Sequence, residues 1–389
     1  MPTSDFGLKR HRTARALLIL GVIAVVAGLV GSLVLEFQAR RWEAKWRAFR
    51  TEWERKGENF AVSKPPKADD REDVLKHPWF ANNPDPSDVV IERLSPARIE
   101  GYNDWDIDEN RLMAPELAKA VLDHYSASAD DLDAIREAAK RPFCRVSINL
   151  DPDHPPLIPE LKTLSAVSDA IQAHACAALS AGDSDRFAGD IELLLDLGAK
   201  LRENPSFLPM VIGAGFEAKA FQSLKQFSNS PVGDASIRSR LLTALEFRKR
   251  SLGEELAAVL RHERNQSLRL IDRLLEKPTP PPEVALPKLR SSARAFASRN
   301  RLALCEDLQH RLLAPSGTVL TAITAAGITD YEQTAKERFA KNKPDEESLA
   351  ATCFHASVGV LDATLRHEDA RTEIRAVLAA TPRSPESPR

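Results

Sequence analysis

Glycine and tyrosine are scarce in this chain. Tyr occurs 3 times and Gly 16 times in 389 residues, while Leu and Ala fill the periodic segments. That balance argues against a β-rich body and for an all-α one. Cysteine is equally thin. Cys144, Cys176, Cys305 and Cys353 lie far apart with no C-x-x-C pair, which leaves a zinc or thioredoxin-type centre without support. They read as small buried hydrophobes. In an exported domain one disulfide would be allowed, with a pairing that sequence does not specify. An excess of one charge is also missing. The 54 Lys+Arg nearly balance 56 Asp+Glu, for a net charge of −2, so no nucleic-acid partner is expected. No G-x-x-x-x-G-K-[ST], G-x-G-x-x-G or G-x-S-x-G occurs. No cofactor is expected, and no residue is assigned a catalytic or cofactor-binding role.

What stands out instead is residues 16–35, ALLILGVIAVVAGLVGSLVL, twenty residues without a charge. As a helix this spans about 30 Å of hydrocarbon. A cleaved signal peptide has a shorter apolar core, of about 7–15 residues, and Phe37 at −3 makes Glu36–Ala39 a poor cleavage site. The run therefore predicts a transmembrane anchor over 16–37, after a cytoplasmic tail over 1–15. Ala24, Ala27, Gly28, Gly31 and Ser32 would let two anchors approach closely, which makes a homodimer through the anchor one expectation. Basic residues flank both ends: Lys9, Arg10, Arg12 and Arg15 before, then Arg40, Arg41, Lys45, Arg47 and Arg50 after. Counting them does not decide orientation. A cytoplasmic N-terminus is preferred, because long C-terminal domains cross largely regardless of charge.

Residues 38–60 extend the anchor as a juxtamembrane helix. Trp42, Trp46, Phe49 and Trp53 are spaced 4, 3 and 4, and the register runs back through Ala39, Leu35, Ser32 and Gly28. In a straight helix Trp42 falls about 10 Å past Leu35, near the headgroups, but Trp53 falls about 27 Å past it. The stripe is thus a packing seam with one belt residue. It packs on a twin helix or on the chain's own connector around Trp79 and Phe80. The second is preferred, because Lys56 interrupts the heptad.

Further on, prolines 65, 66, 78, 84, 86 and 96 predict an irregular connector over 61–114. Helical hairpins are expected over 115–277. Within them Gly182-Asp183 supplies a helix stop and the next start, Ser206 a further cap, and the Gly213-Ala214-Gly215 (GAG) run a close crossing. RPFCRVSINL (141–150) reads as a short strand or, preferably, an extended crossover. Ser251-x-x-Glu254 is a capping-box pattern. PTPPPEVALP (278–287) is a stiff Pro-rich loop. Helices resume over 288–380, and 381–389 should be disordered. No exact repeat appears, although 170–203 is similar to a tetratricopeptide hairpin in its turn.

Candidate chemistry is weak. Asp104, Asp106 and Asp108 have a calcium-loop register, but Glu109 stands where Gly is needed and Pro115 where a bidentate Glu belongs. Asp151, Asp153 and His154 cluster on a Pro-rich loop in a spacing with no known metal geometry. These six are the only metal candidates. His174 reads as a core histidine bonded to a carbonyl. His262-Glu263 lacks the second ligand of H-E-x-x-H. Cys353 and His355 point to different helix faces. Lys288, Arg290, Arg294, Arg299 and Arg301 form an acid-free run, expected to be a solvated face.

RPFCRV (141–146), LIPELKTLSAVSDAIQAHACAALSAGDSDRFAGDIELLLDLGAKL and NPSFLPMVIGAGFEAKAFQSLKQF resemble a family of uncharacterised, membrane-anchored helical proteins abundant in planctomycete and verrucomicrobial bacteria. The match covers roughly 115–228. The resemblance implies a single-pass protein of the bacterial plasma membrane with its C-terminal domain outside the cytoplasm. It carries over no activity. The leading expectation is a membrane-anchored helical scaffold that binds another envelope protein. The alternatives are a hydrolase-like enzyme with dispersed acids and His, and a self-associating structural membrane protein.

Overall fold

The computed structural model describes residues 5–61, 69–83, 88–105, 107, 111–146, 160–230, 235–246, 252–276, 294–295, 297–299, 301–302, 305–306, 309 and 370–380, with side chains from Leu29 onward. The fold is all-α. Among the described residues there is no strand, only an isolated bridge between Asp73 and Phe143. RPFCRV is therefore the extended crossover, and 147–150 lie outside the described residues.

The chain forms two compact units. The first takes Met1–Ala61 and the chain from Arg264 to Val319. It contains α1 (Asp5–Arg55), the second half of α10 (Leu252–Glu276) and helical positions between 294 and 309. The second takes Val62–Glu263 and the C-terminal residues from Cys353. The division thus falls inside α10, before the Pro-rich loop expected over 278–287.

In the first unit α1 is one unbroken helix, ended by Gly57 at φ 97°. Such a left-handed stop suits glycine. The aromatic seam is buried as expected: Ala39 and Trp53 are fully covered and Phe49 nearly so. Its partners differ from the expected ones. Phe49 and Trp53 pack with Phe60, Leu268, Leu302 and Cys305, with Trp42 and Trp46 at the edge. Trp79 and Phe80 belong to the core of the second unit. The reason is local. Gly57 turns the chain so that Phe60 folds back, and its ring meets Trp46 edge-on at 5.9 Å.

Beneath the seam lies a buried ion pair. Arg264 and Glu58 are both wholly buried, 3.1 Å apart. Nη2 of Arg264 also donates to the Asn59 carbonyl (2.7 Å), and Nη1 donates to Gln309 Oε1 (2.8 Å). The guanidinium sits 4.2 Å from the centre of the Phe60 ring. A buried charge survives only when its donors are met this fully.

The second unit is built on three long antiparallel neighbours, α6 (Glu160–Ser180), α7 (Ser184–Arg202) and α8 (Phe207–Asn229). Gly182, at φ 82°, closes the first turn, and the Asp183 carboxylate accepts from the Arg186 N–H at 3.1 Å, as the sequence predicts. The helices run 21 and 19 residues, too long together for the tetratricopeptide period of about 34 residues. α4 (Pro115–Ala127) packs on α6, while α5 (Ala129–Ala139) and α9 (Ala235–Glu246) pack on α7.

The expected irregular connector is folded where it is described. Asp70–Glu72, Val74–Lys76, α2 (Pro78–Ala81), α3 (Asp88–Leu94), Pro96–Arg98 and Tyr102–Asp104 are short helical turns. Pro78 and Pro96 start turns because proline suits the first helical position. Val74, Phe80, Leu94 and Ile99 enter the same core as α4–α9. Trp79 Nε1 donates to Asp131 at 2.9 Å and the Tyr125 hydroxyl to the Leu94 carbonyl at 2.9 Å. At the other end of the chain, helix 370–379 adds Ile374 and Leu378 to this core.

α7 and α8 cross at two glycines. A Cβ on Gly198 would lie 2.8 Å from the Gly213 carbonyl, and one on Gly213 only 2.5 Å from the Gly198 carbonyl. Gly215 has open space, so of the glycines in GAG only Gly213 makes the crossing.

Candidate functional site

A cavity of the second unit, about 400 Å³, lies between α7, α8, α9 and helix 370–379. Leu195, Ala199, Phe221 and Ala244 give it an apolar wall. Its charged groups are all engaged. Arg240 grips Glu192 with two bonds, of 2.6 and 2.7 Å. Asp196 pairs with Lys200 at 2.5 Å, and Glu217 with the buried Arg202 at 2.7 Å. Arg202 also bonds Glu255 of α10. Arg371 donates to the Leu245 carbonyl in the last turn of α9, satisfying an orphan acceptor there. The cavity is lined by apolar surface and by charges already paired within the unit.

A second constellation lies deeper. His174 Nδ1 meets Asp190 Oδ2 at 2.5 Å, and Arg136 Nη2 holds the other carboxylate oxygen at 2.9 Å. His174 is therefore a core histidine bonded to a carboxylate rather than to the expected carbonyl. α6 and α7 face each other across a short turn, which brings residues 16 apart together. A His–Asp pair is the orienting half of a catalytic triad. Here both groups are buried, and the ring packs edge-on against Tyr125 at 5.8 Å. The nearby thiol, Cys176, bonds Ser223 at 3.4 Å instead.

Cys144, Cys176 and Cys305 are free and buried, as expected for small hydrophobes. Burial pushes the Cys176 and Cys305 thiols up to about 12, and that of Cys144 up as well. None is a thiolate at neutral pH. Cys353 and His355 lie outside the described residues.

The metal candidates Asp106, Asp108, Asp151, Asp153 and His154, and the side chain of Asp104, lie outside the described residues. Among the described residues no group of three His, Cys, Asp or Glu converges to hold a metal. His262-Glu263 has a structural use. Glu263 Oε1 accepts from the Phe207 N–H and the Ser206 hydroxyl, both at 2.9 Å. Ser206 itself makes no capping bond, so the α8 cap is Glu263, 57 residues away. The basic run is not acid-free in space. Arg294 forks onto Glu43 at 2.8 and 2.9 Å and reaches Glu36 at 3.5 Å, while Arg301 bonds Asp272. Lys288 and Arg290 are outside the described residues.

Sequence reading missed Arg202, Glu217, Glu58 and Arg264. One signal was available: Arg202 stands four residues after Gly198 and beside Leu201, on the inward stripe of α7.

On α1, Leu29, Leu33 and Phe37 are 61%, 70% and 68% exposed, with Val30 and Val34 beside them. Among the described residues no helix is long and apolar enough to cross a membrane. The side chains of 5–28, most of the uncharged run, are not among those residues. Set against known proteins, the chain matches no family model, no curated protein and no solved structure.

Proposed function

We propose that the chain is a membrane-anchored helical scaffold that binds another protein of the bacterial cell envelope, with residues 16–37 in the plasma membrane, the N-terminus in the cytoplasm and the C-terminal body outside it. One observation carries the reading: Leu29, Val30, Leu33, Val34 and Phe37 are open to the surroundings on the helix that continues the uncharged run. Large apolar side chains exposed along one side of a helix are at home in lipid. The resemblance to membrane-anchored helical proteins, which rests on sequence pattern alone, points the same way. The cavity beside α9, apolar within a rim of paired charges, has the composition of a docking surface.

The test is expression of the full chain followed by carbonate washing of the membranes. The anchored protein stays in the pellet, and release into the wash refutes the anchor. Purification from detergent-solubilised membranes then identifies the partner, and a reporter after Arg389 reads the orientation. Self-association through the anchor is the second reading. The small residues Ala24, Ala27, Gly28, Gly31 and Ser32 support it, since they would let two helices approach closely. A cross-linked dimer lost in Gly28→Leu supports that reading, and an unchanged monomer ends it.

A further inference from the structure

The stretch of α1 just past the apolar segment is rich in both charges, and the structure sorts them. Its acids point to partners within the first unit. Glu43 is held by both arms of Arg294, and Glu36 by Arg40 at 3.0 Å and Arg294 at 3.5 Å. Three bases are left over. Arg41, Lys45 and Arg47 are exposed and have no acid partner among the described residues. Arg41 and Lys45, four apart, share a face, whereas Arg47 points elsewhere on the helix. The ammonium of Lys45 lies 4.6 Å from the Trp42 ring centre. Ala39, Phe49 and Trp53 of the same helix are buried in the seam. Quenching of the acids by a residue more than two hundred positions away thus leaves a one-signed surface on α1 that the sequence, read locally, does not show.

Height adds to sign. At 1.5 Å per residue Arg41 stands about 6 Å and Lys45 about 12 Å beyond Phe37. The headgroup zone is about 5–8 Å deep on each side, and the field of anionic lipid reaches about one Debye length, 8 Å, further. Arg41 can touch phosphates directly, and Lys45 and Arg47 lie within the field.

We propose that Arg41 and Lys45, one turn apart and beside Trp42, form a binding face for the headgroups of anionic phospholipids. This rests on the anchored reading above. The face selects lipid by charge, so its ligand is the phosphate of a net-negative headgroup and not a zwitterionic one. Arg294 is a positioning residue for it. Removing Arg294 uncovers Glu43 and Glu36 and weakens the face without touching it.

The experiment reconstitutes the full chain into liposomes of phosphatidylcholine and phosphatidylglycerol in equal parts, then counts retained lipids by native mass spectrometry. Phosphatidylglycerol should be retained over phosphatidylcholine by about 10-fold or more, with about 5-fold lost per basic group removed, the equivalent of about 1 kcal/mol each. Arg41→Gln/Lys45→Gln alters only exposed positions, and its unchanged circular dichroism shows that the fold is kept. Arg294→Gln should lower the preference in the same direction. Insertion with equal retention of both lipids overturns the proposal. A double variant that keeps the full preference also overturns it. Failure to float with either lipid overturns the anchored reading itself, and the proposal with it.

Discussion

Gly213→Ala adds a single carbon at the tightest point of the second unit. That carbon would stand 2.5 Å from the Gly198 carbonyl oxygen, 2.6 Å from Cγ of Arg202 and 3.2 Å from the Arg202 nitrogen. Two of the three are backbone atoms, so no rotamer change relieves them. α7 and α8 must part by most of an ångström, and Arg202 must move away from Glu217 and Glu255. Overpacking of this kind costs about 3 kcal/mol. Alanine in place of helical glycine returns about 1 kcal/mol, so the net loss is about 2 kcal/mol. For a unit of this size that lowers Tm by about 4–8 °C. Gly215 is the internal control. It lies two residues on, is exposed and has nothing within 4 Å of its added Cβ. Gly215→Ala should keep only the helix gain and raise Tm by about 2–4 °C. The assay is thermal unfolding by circular dichroism at matched concentrations. Shifts of the same sign in the two variants would show that the helices do not cross at Gly213.

Other perturbations probe the buried charges and caps. Arg264→Ala leaves Glu58 buried without its cation and should cost about 3–5 kcal/mol in denaturant unfolding; Arg264→Lys should recover little, because an ammonium cannot reproduce the fork. Glu263→Ala removes the acceptor at the start of α8 and should cost about 1 kcal/mol, a loss that Ser206→Ala alone should not equal. Cys144, Cys176 and Cys305 should resist iodoacetamide at pH 8 in the native protein and react on denaturation, since burial holds their thiols high; rapid native labelling would contradict the packing. Burial, with Arg141 adding to it, lowers His77 below its ordinary 6.5. The unfolded chain therefore binds the proton first. The stability that neutral His77 supplies, by accepting from the Trp79 N–H at 3.3 Å, is complete above pH 6.5 and is lost as pH falls through the lower folded value. An NMR midpoint for His77 above 6.5 would reverse that sign.

The helices and their stops were legible because they depend on near neighbours. Gly182-Asp183 specifies a turn through a left-handed residue and a carboxylate cap, both local. The buried face of α1 was legible too, since the spacing of Trp42, Trp46, Phe49 and Trp53 fixes which side is inward. What covers that face was not, because periodicity reports a stripe and not its mate. The same limit hid the pairing of His174 with Asp190 and the cap from Glu263. Each joins residues whose proximity arises only when helices pack. The proline-dense stretch before α4 predicts irregular chain because prolines end long helices. They also begin short ones, and Pro78 and Pro96 do so here. The cavity beside α9 had no sequence signature, since its walls come from four separate segments.

Gln309 donates to Glu58 across 251 residues of chain. During synthesis, at about 5–20 residues per second, the closing partner follows α1 by about 10–50 s. Phe49, Trp53 and Phe60 leave the ribosome first and wait that long for Leu302 and Cys305, while all of Val62–Glu263 is made in the interval. The first unit is therefore a late-closing one. Its aromatic seam stays uncovered until then and gains from a holding chaperone, and truncations that end before residue 302 should leave it open to aggregation.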